Sequence, residues 1–137
     1  MSPEAACAAA GLVLRHADAR CLAIDKPPGL LVHPSALDAH AGDDVLTRLQ
    51  QAWGRPMWPV HRLDKGTSGV LLLALDADAA RHFGALLAEG GADKRYRALV
   101  RGWPPEAGRT DRPLARDPEL PSTGQPLLPA ETHWTLR

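Results

Sequence analysis

Within four consecutive positions the chain sets a histidine, an arginine and an aspartate: His61, Arg62 and Asp64, inside the stretch PVHRLDKGTSGVLLLAL from Pro59 to Leu75. A carboxylate beside a guanidinium can serve as a nucleophile or a base, and it needs no cofactor for either task. The same residues also read as a surface ion pair, which in a loop contributes little. A metal site on His33, His61 and Asp64 would have three donors, but no HExxH motif or closely paired cysteines support it. The GTSG that follows has a phosphate-loop look, yet it lacks the Gly-Lys-Ser/Thr ending and precedes a strand-like run rather than a helix. On residue types alone these readings stand side by side.

The elements that must position the cluster are legible in its flanks. The apolar run Val70 to Leu75 predicts a strand buried on both faces. Gly66 and Gly69, bracketing Thr67 and Ser68, predict a tight loop at its mouth. Upstream, Gly11 to His16 and Cys21 to Asp25 are apolar runs around a turn containing Asp18, a hairpin signal. Lys26-Pro27-Pro28-Gly29 ends the second of these strands, and Leu30 to His33 is apolar again. Asp43 or Asp44 caps a helix with Val45, Leu46, Leu49 and Trp53 on one face and Gly54 as its stop.

Past the central stretch, Asp76 or Asp78 caps a second helix with Ala80, Phe83, Leu86 and Leu87 inward, closed by Gly90 and Gly91. KRYRALVRG, Lys94 to Gly102, alternates in the manner of a half-buried strand with basic residues along one face. Seven prolines between Pro104 and Pro129 predict mostly extended loop, with a short strand near Arg109 to Asp111 and another opening at Glu131 to Leu136. Strands and helices in mixed order, without βαβ regularity, predict an α+β fold: a mixed, mostly antiparallel sheet with flanking helices.

A length of 137 residues suits a single domain over 1–137. Lys plus Arg and Asp plus Glu are both 16, which argues against a protein that coats nucleic acid generally. Charge is nevertheless uneven, since Asp93 to Arg116 holds seven basic residues against three acidic ones. Cys7 and Cys21 lack the spacing of a metal knuckle or redox pair and read as reduced thiols. The N-terminus has no basic region ahead of a long apolar core, and no stretch reaches bilayer length, so the expectation is a cytoplasmic protein without a membrane partner.

Four segments together carry a resemblance. HRLDKGTSGVLLLAL is similar to the signature of the RluA-type pseudouridine synthases, and LAIDKPPGLLVHP resembles their Lys-Pro-x-Gly turn. KRYRALVRG resembles their Lys-x-Tyr strand, and Ala130-Glu131-Thr132 opens a further strand in the right order. The resemblance implies isomerisation of uridine to pseudouridine in structured RNA, without metal or cofactor. Asp64 matches the essential aspartate, nucleophile or ribose-activating base. Arg62 matches the arginine that helps displace the flipped nucleotide, and Tyr96 the tyrosine that packs on the target base. Lys94, Arg95, Arg97 and Arg101 would hold RNA phosphates. His61 reads as scaffold. RGW, HPSALD and THW resemble most the branch of the family acting on tRNA, an rRNA or dual-specificity relative being the alternative.

The family's catalytic domain continues beyond the point matched by Arg137 with a Gly-Arg-x-His-Gln segment. The expectation is therefore an N-terminal part of a catalytic domain truncated at its C-terminus, monomeric when complete. A competing expectation is an RNA-binding module of the same fold without turnover, and a third is a small metal-dependent hydrolase on His33, His61 and Asp64.

Overall fold

Ser2 begins the first element by accepting the amide of Ala5 on its Oγ at 3.2 Å, and Pro3 follows in the first turn, where its missing N–H costs nothing. The resulting helix, α1 (Pro3–Ala9), buries Ala6 and Cys7. Two strands follow, β1 (Val13–Ala17) and β2 (Cys21–Lys26), paired antiparallel with a bulge between Leu14 and His16. Asp18 closes their turn, accepting the amides of Arg20 at 2.7 Å and Cys21 at 2.8 Å on Oδ1. The computed structural model describes residues 1–34, 42–117 and 120–137. Residues 35–38 of the HPSALD stretch lie outside the described residues.

Asp44 starts α2 (Val45–Trp53), accepting the Thr47 amide at 2.9 Å and the Thr47 hydroxyl at 2.7 Å, and Gly54 ends it in the left-handed conformation. Next come β3 (Trp58–Pro59), β4 (Gly69–Ala74) and α3 (Ala77–Ala88). The four strands form one antiparallel sheet in the order β1-β2-β4-β3. Its central register pairs Leu22 with Leu73, Ile24 with Leu71 and Lys26 with Gly69. Strand alternation therefore turns Leu22, Ile24, Leu71 and Leu73 to one face, where they join Cys7, Val45, Leu49, Met57 and Leu63 in a single buried cluster.

Two expectations for this unit are corrected. β4 is not buried on both faces: Val70 is 60% exposed, because an antiparallel sheet needs only one covered face. α3 is fixed at its first turn, where Asp76 accepts the Ala79 amide at 2.7 Å, so Ala79 is buried while Leu86 at the far turn is exposed. Leu30 to His33 makes no strand, only an isolated parallel bridge from Leu31 to Asp44.

The chain divides into two compact units, Met1–Asp93 and Lys94–Arg137. In the second, β5 (Ala107–Thr110) pairs antiparallel with β8 (Thr132–Thr135), and β6 (Leu114–Ala115) pairs with β7 (Leu127–Leu128). Gly108 faces Trp134 across the first ribbon so closely that any Cβ at 108 would collide with the indole. Both strands expected near Arg109 and after Glu131 are thus present. KRYRALVRG is not a strand: Tyr96, Leu99 and Val100 are exposed, and no segment among the described residues forms a ladder with it. Its alternation is a property of the sequence, but a strand exists only through hydrogen bonds to a neighbour. Among the described residues no helix is long and apolar enough to cross a membrane.

The start of α3 is tied to the β1–β2 turn by Arg20, which donates through Nε and Nη2 to Asp76 at 3.2 Å each. That guanidinium first, and the Ala79 amide second, hold the Asp76 carboxyl below the usual range. A carboxyl depressed in the folded state stabilises fully above its unfolded pKa of about 3.9 and loses that contribution as pH falls through the folded value. Thermal melts are expected to show a Tm that drops on acidification below about pH 4. In Arg20→Ala the neutral-pH Tm is lower and the acid-induced drop smaller. An identical drop in both proteins would remove the pair from the acid response.

Candidate active site

Extended backbone alternates its side chains, and the segment preceding β4 uses that alternation. Leu63 is buried in the core, whereas its neighbours Arg62 and Asp64 are both exposed, the burial pattern that alternation produces. The apolar residue pins the segment, and the two charged ones are presented outward. Upstream, Val60 donates its amide to Leu72 O at 3.1 Å, and His61 Nε2 accepts the Leu72 amide at 3.0 Å. His61 is therefore scaffold at the sheet edge, as its sequence context suggests. Downstream, the Thr67 amide donates to Asp64 O at 2.9 Å and closes a tight turn.

What fixes this turn from beneath is Lys26, which the reading of the sequence placed only as the end of a strand. It is 1% exposed, the largest fully buried side chain in the described residues. Its ammonium donates to three carbonyls: Pro27 at 2.8 Å, Leu30 at 2.6 Å and Lys65 at 3.2 Å. The Lys65 carbonyl also accepts the Gly29 amide at 2.7 Å. The residue directly after Asp64 is thus bonded twice to the Lys-Pro-Pro-Gly turn. Gly29, at φ 85°, adopts the left-handed conformation that lets its amide point there. Gly69 at φ 131° has the same need at the loop's exit, whereas Gly66 keeps an ordinary φ.

Burial lowers the Lys26 pKa, and the charge of Asp64 pulls it partly back up. The two groups are electrostatically linked, so the carboxylate feels the charge of a cation that is almost wholly buried. The sequence offers only a lysine ending an otherwise apolar strand, directly before two prolines and a glycine, and the inward direction of its side chain comes from the packing of the two turns. A shallow cavity of about 330 Å³ lies beside the clamp, lined by Val13, Asp25, Lys26, Ser68 and Gly69 but not by Asp64.

The remaining sequence candidates are in the second unit. Lys94, Arg95, Arg97 and Arg101 are exposed along an extended segment, and Tyr96 between them is 63% exposed. His33, His61 and Asp64 do not form a cluster of metal donors among the described residues; His33 Nδ1 instead contacts the Pro34 carbonyl at 3.1 Å. The hydrolase expectation loses its geometry with that separation.

The sheet order and the glycine-turned HRLD loop define the class. The sequence profile of the family described as RNA pseudouridylate synthase matches residues 20–134, and the chain belongs to that family. More particularly, tRNA pseudouridine synthase C of Vibrio cholerae is 40% identical over 106 residues, covering 77% of this chain and 43% of the relative. That of Pasteurella multocida is 40% identical over 103 residues, covering 75% of this chain and 42% of the relative. The chain therefore spans less than half the length of these curated relatives.

Among solved structures, human RNA pseudouridylate synthase domain containing 4 superposes with a TM-score of 0.63 at 31% identity, over 91% of this chain and 49% of that one. Human RNA pseudouridylate synthase domain containing 1, at 17% identity and a TM-score of 0.56, shares the fold. The α+β architecture and the family expected from HRLDKGTSG are both established by these matches.

Removing the ammonium of Lys26 takes the donor from three carbonyls, of which that of Leu30 is in a buried hydrogen bond. Lys26→Met is expected to lower unfolding free energy by at least about 2 kcal/mol, read from urea titration. Faster hydrogen exchange at the Gly29 amide should accompany it. A change within about 0.5 kcal/mol would mean that the carbonyls find other partners.

Proposed function

We propose that this chain acts in the isomerisation of uridine to pseudouridine in structured RNA, tRNA before rRNA, with Asp64 as the reacting carboxylate. The observation that carries the reading is Asp64 itself. In a chain of this family it is exposed on a turn whose next carbonyl is held by a buried lysine and a backbone amide. A carboxylate so held approaches substrate from a rigid support, as either a nucleophile or a ribose-activating base requires. The bond from uracil N1 to the ribose carbon breaks, the bond from C5 to that carbon forms, the C5 proton leaves and N1 takes up a proton. Atoms balance without an oxidant, a metal or a cofactor.

Arg62, two residues before Asp64 and likewise exposed, occupies the space of the extruded nucleotide. Extrusion costs a few kcal/mol, which inserted side chains offset. Tyr96 packs on the target base, and Lys94, Arg95, Arg97 and Arg101 bind phosphates. The names of the relatives support tRNA as the substrate class. A cytoplasmic location and a monomeric complete protein belong to the same reading.

A second reading, an RNA-binding module without turnover, draws on the exposure of Tyr96, Leu99, Val100 and Trp103. Tritium release from tRNA carrying 5-tritiated uridine separates the two. Release that falls at least about a hundredfold in Asp64→Asn, with tRNA binding intact, is the expected result. Binding without release by the unaltered chain establishes the module instead. For the basic segment, Arg95→Gln with Arg97→Gln should flatten the dependence of log affinity on log salt by about 1–2, near one for each phosphate no longer neutralised. An unchanged slope would leave these arginines as a solvated face.

A further inference from the structure

The turn between β1 and β2 gathers an imidazole, a carboxylate and a thiol at the end of β2 remote from Lys26. The ligand atoms of His16, Asp18 and Cys21 all lie within 4.8 Å of one another. Asp18 Oδ2 is the shared vertex, 3.3 Å from His16 Nε2 and 3.4 Å from Cys21 Sγ. Zinc bound tetrahedrally at about 2.0–2.1 Å to nitrogen and oxygen and about 2.3 Å to sulfur sets neighbouring donors about 3.3–3.6 Å apart. Both edges through Asp18 are already of this length. The third, between His16 and Cys21, closes by rotation of the exposed His16 side chain.

We propose that His16, Asp18 and Cys21 form a binding site for a borderline divalent cation, Zn²⁺ or its substitute Co²⁺, which staples the β1–β2 hairpin. The donors are one nitrogen, one oxygen and one sulfur, a set that suits zinc and disfavours the hard, oxygen-seeking Mg²⁺ and Ca²⁺. The backbone has oriented the carboxylate in advance. Asp18 Oδ1 is taken by the amides of Arg20 and Cys21, which leaves Oδ2 for the ion. The Asp18 amide in turn donates to Cys21 O at 3.0 Å. Cys21 is 7% exposed and anchored opposite Ala74 of β4, so its sulfur belongs to the rigid sheet.

The nearest competing cation is drawn elsewhere, since Arg20 is directed to Asp76. His16 and Asp18 face solvent, which gives the ion access and a water as fourth ligand. Binding displaces the thiol proton, now shared with Asp18 Oδ2, to solvent; no electron moves. Five residue steps along β2 separate Cys21 from Lys26, about 17 Å along the strand. The ion is therefore a fastener of the fold, separate from the chemistry assigned to Asp64.

The purified chain, reduced and stripped of metal, is titrated with Co²⁺ and followed by absorption. One equivalent should produce a thiolate-to-cobalt charge-transfer band in the near ultraviolet, removed by competing Zn²⁺. Zn²⁺ should also raise the Tm. Cys21→Ser should abolish the band, and His16→Ala, at an exposed position that leaves the core untouched, should weaken binding at least tenfold and erase the Tm shift. Absence of the band and of the Tm shift in the unaltered chain overturns the proposal, and so does equal binding by His16→Ala.

Discussion

A primary ammonium that donates to three backbone carbonyls while almost wholly excluded from water is the constraint on which the first unit depends. Lys26 ends the central strand of the sheet, and its side chain follows Leu22 and Ile24 into the face that forms the core. A charge there is tolerable only because every donor has an acceptor, and among the described residues no buried side-chain nitrogen or oxygen lacks a partner. The acceptors come from two turns far apart in sequence, Pro27 to Leu30 and the one at Lys65. The lysine thus does what a disulfide does in a smaller protein: it fixes two loops to each other. It also leaves a positive charge beneath the one exposed carboxylate that the family resemblance marks for chemistry.

The sheet makes this arrangement possible by its order. Placing β4 between β2 and β3 sets the Asp64 turn, which feeds β4, beside the Lys-Pro-Pro-Gly turn, which leaves β2. The antiparallel register brings Lys26 opposite Gly69, so the ammonium reaches under the loop rather than along it. Leu63 secures the same segment from the other end by burial in the core. Arg62 and Asp64 are therefore displayed by an apolar anchor between them, a hydrogen-bonded histidine before them and a clamped carbonyl after them. All three restraints act through the backbone and the neighbouring residues.

Much of this was legible in the sequence because it rests on local rules. Asp44 and Gly54 bound α2 where capping chemistry puts them, and Asp18 makes the turn between two apolar runs. Asp64 was singled out only by its match to a family signature, since on residue type alone an ion pair reads equally well, and it lies on an exposed turn. What stayed hidden is tertiary. A lysine at the end of an apolar strand looks like a charge reaching for solvent, and only the packing of two turns shows it facing inward. Conversely, KRYRALVRG has the periodicity of a strand and none of its hydrogen bonds, because alternation records which face a segment is suited to bury while pairing requires a partner.

That contrast bears on how the two units differ in what holds them. In the first, the sheet, two helices and the ammonium clamp share one apolar cluster, and exposed large apolar side chains are few and scattered. In the second, two short ribbons hold their own register, with Gly108 accommodating Trp134, yet Tyr96, Leu99, Val100 and Trp103 lie exposed within eight consecutive positions. Four such side chains interleaved with Lys94, Arg95, Arg97 and Arg101 combine apolar surface with positive charge. Base stacking and phosphate pairing draw on just those two properties. The region with the least internal packing is also the one whose composition best fits an RNA surface, and the region with the most rigid packing is the one that carries the carboxylate.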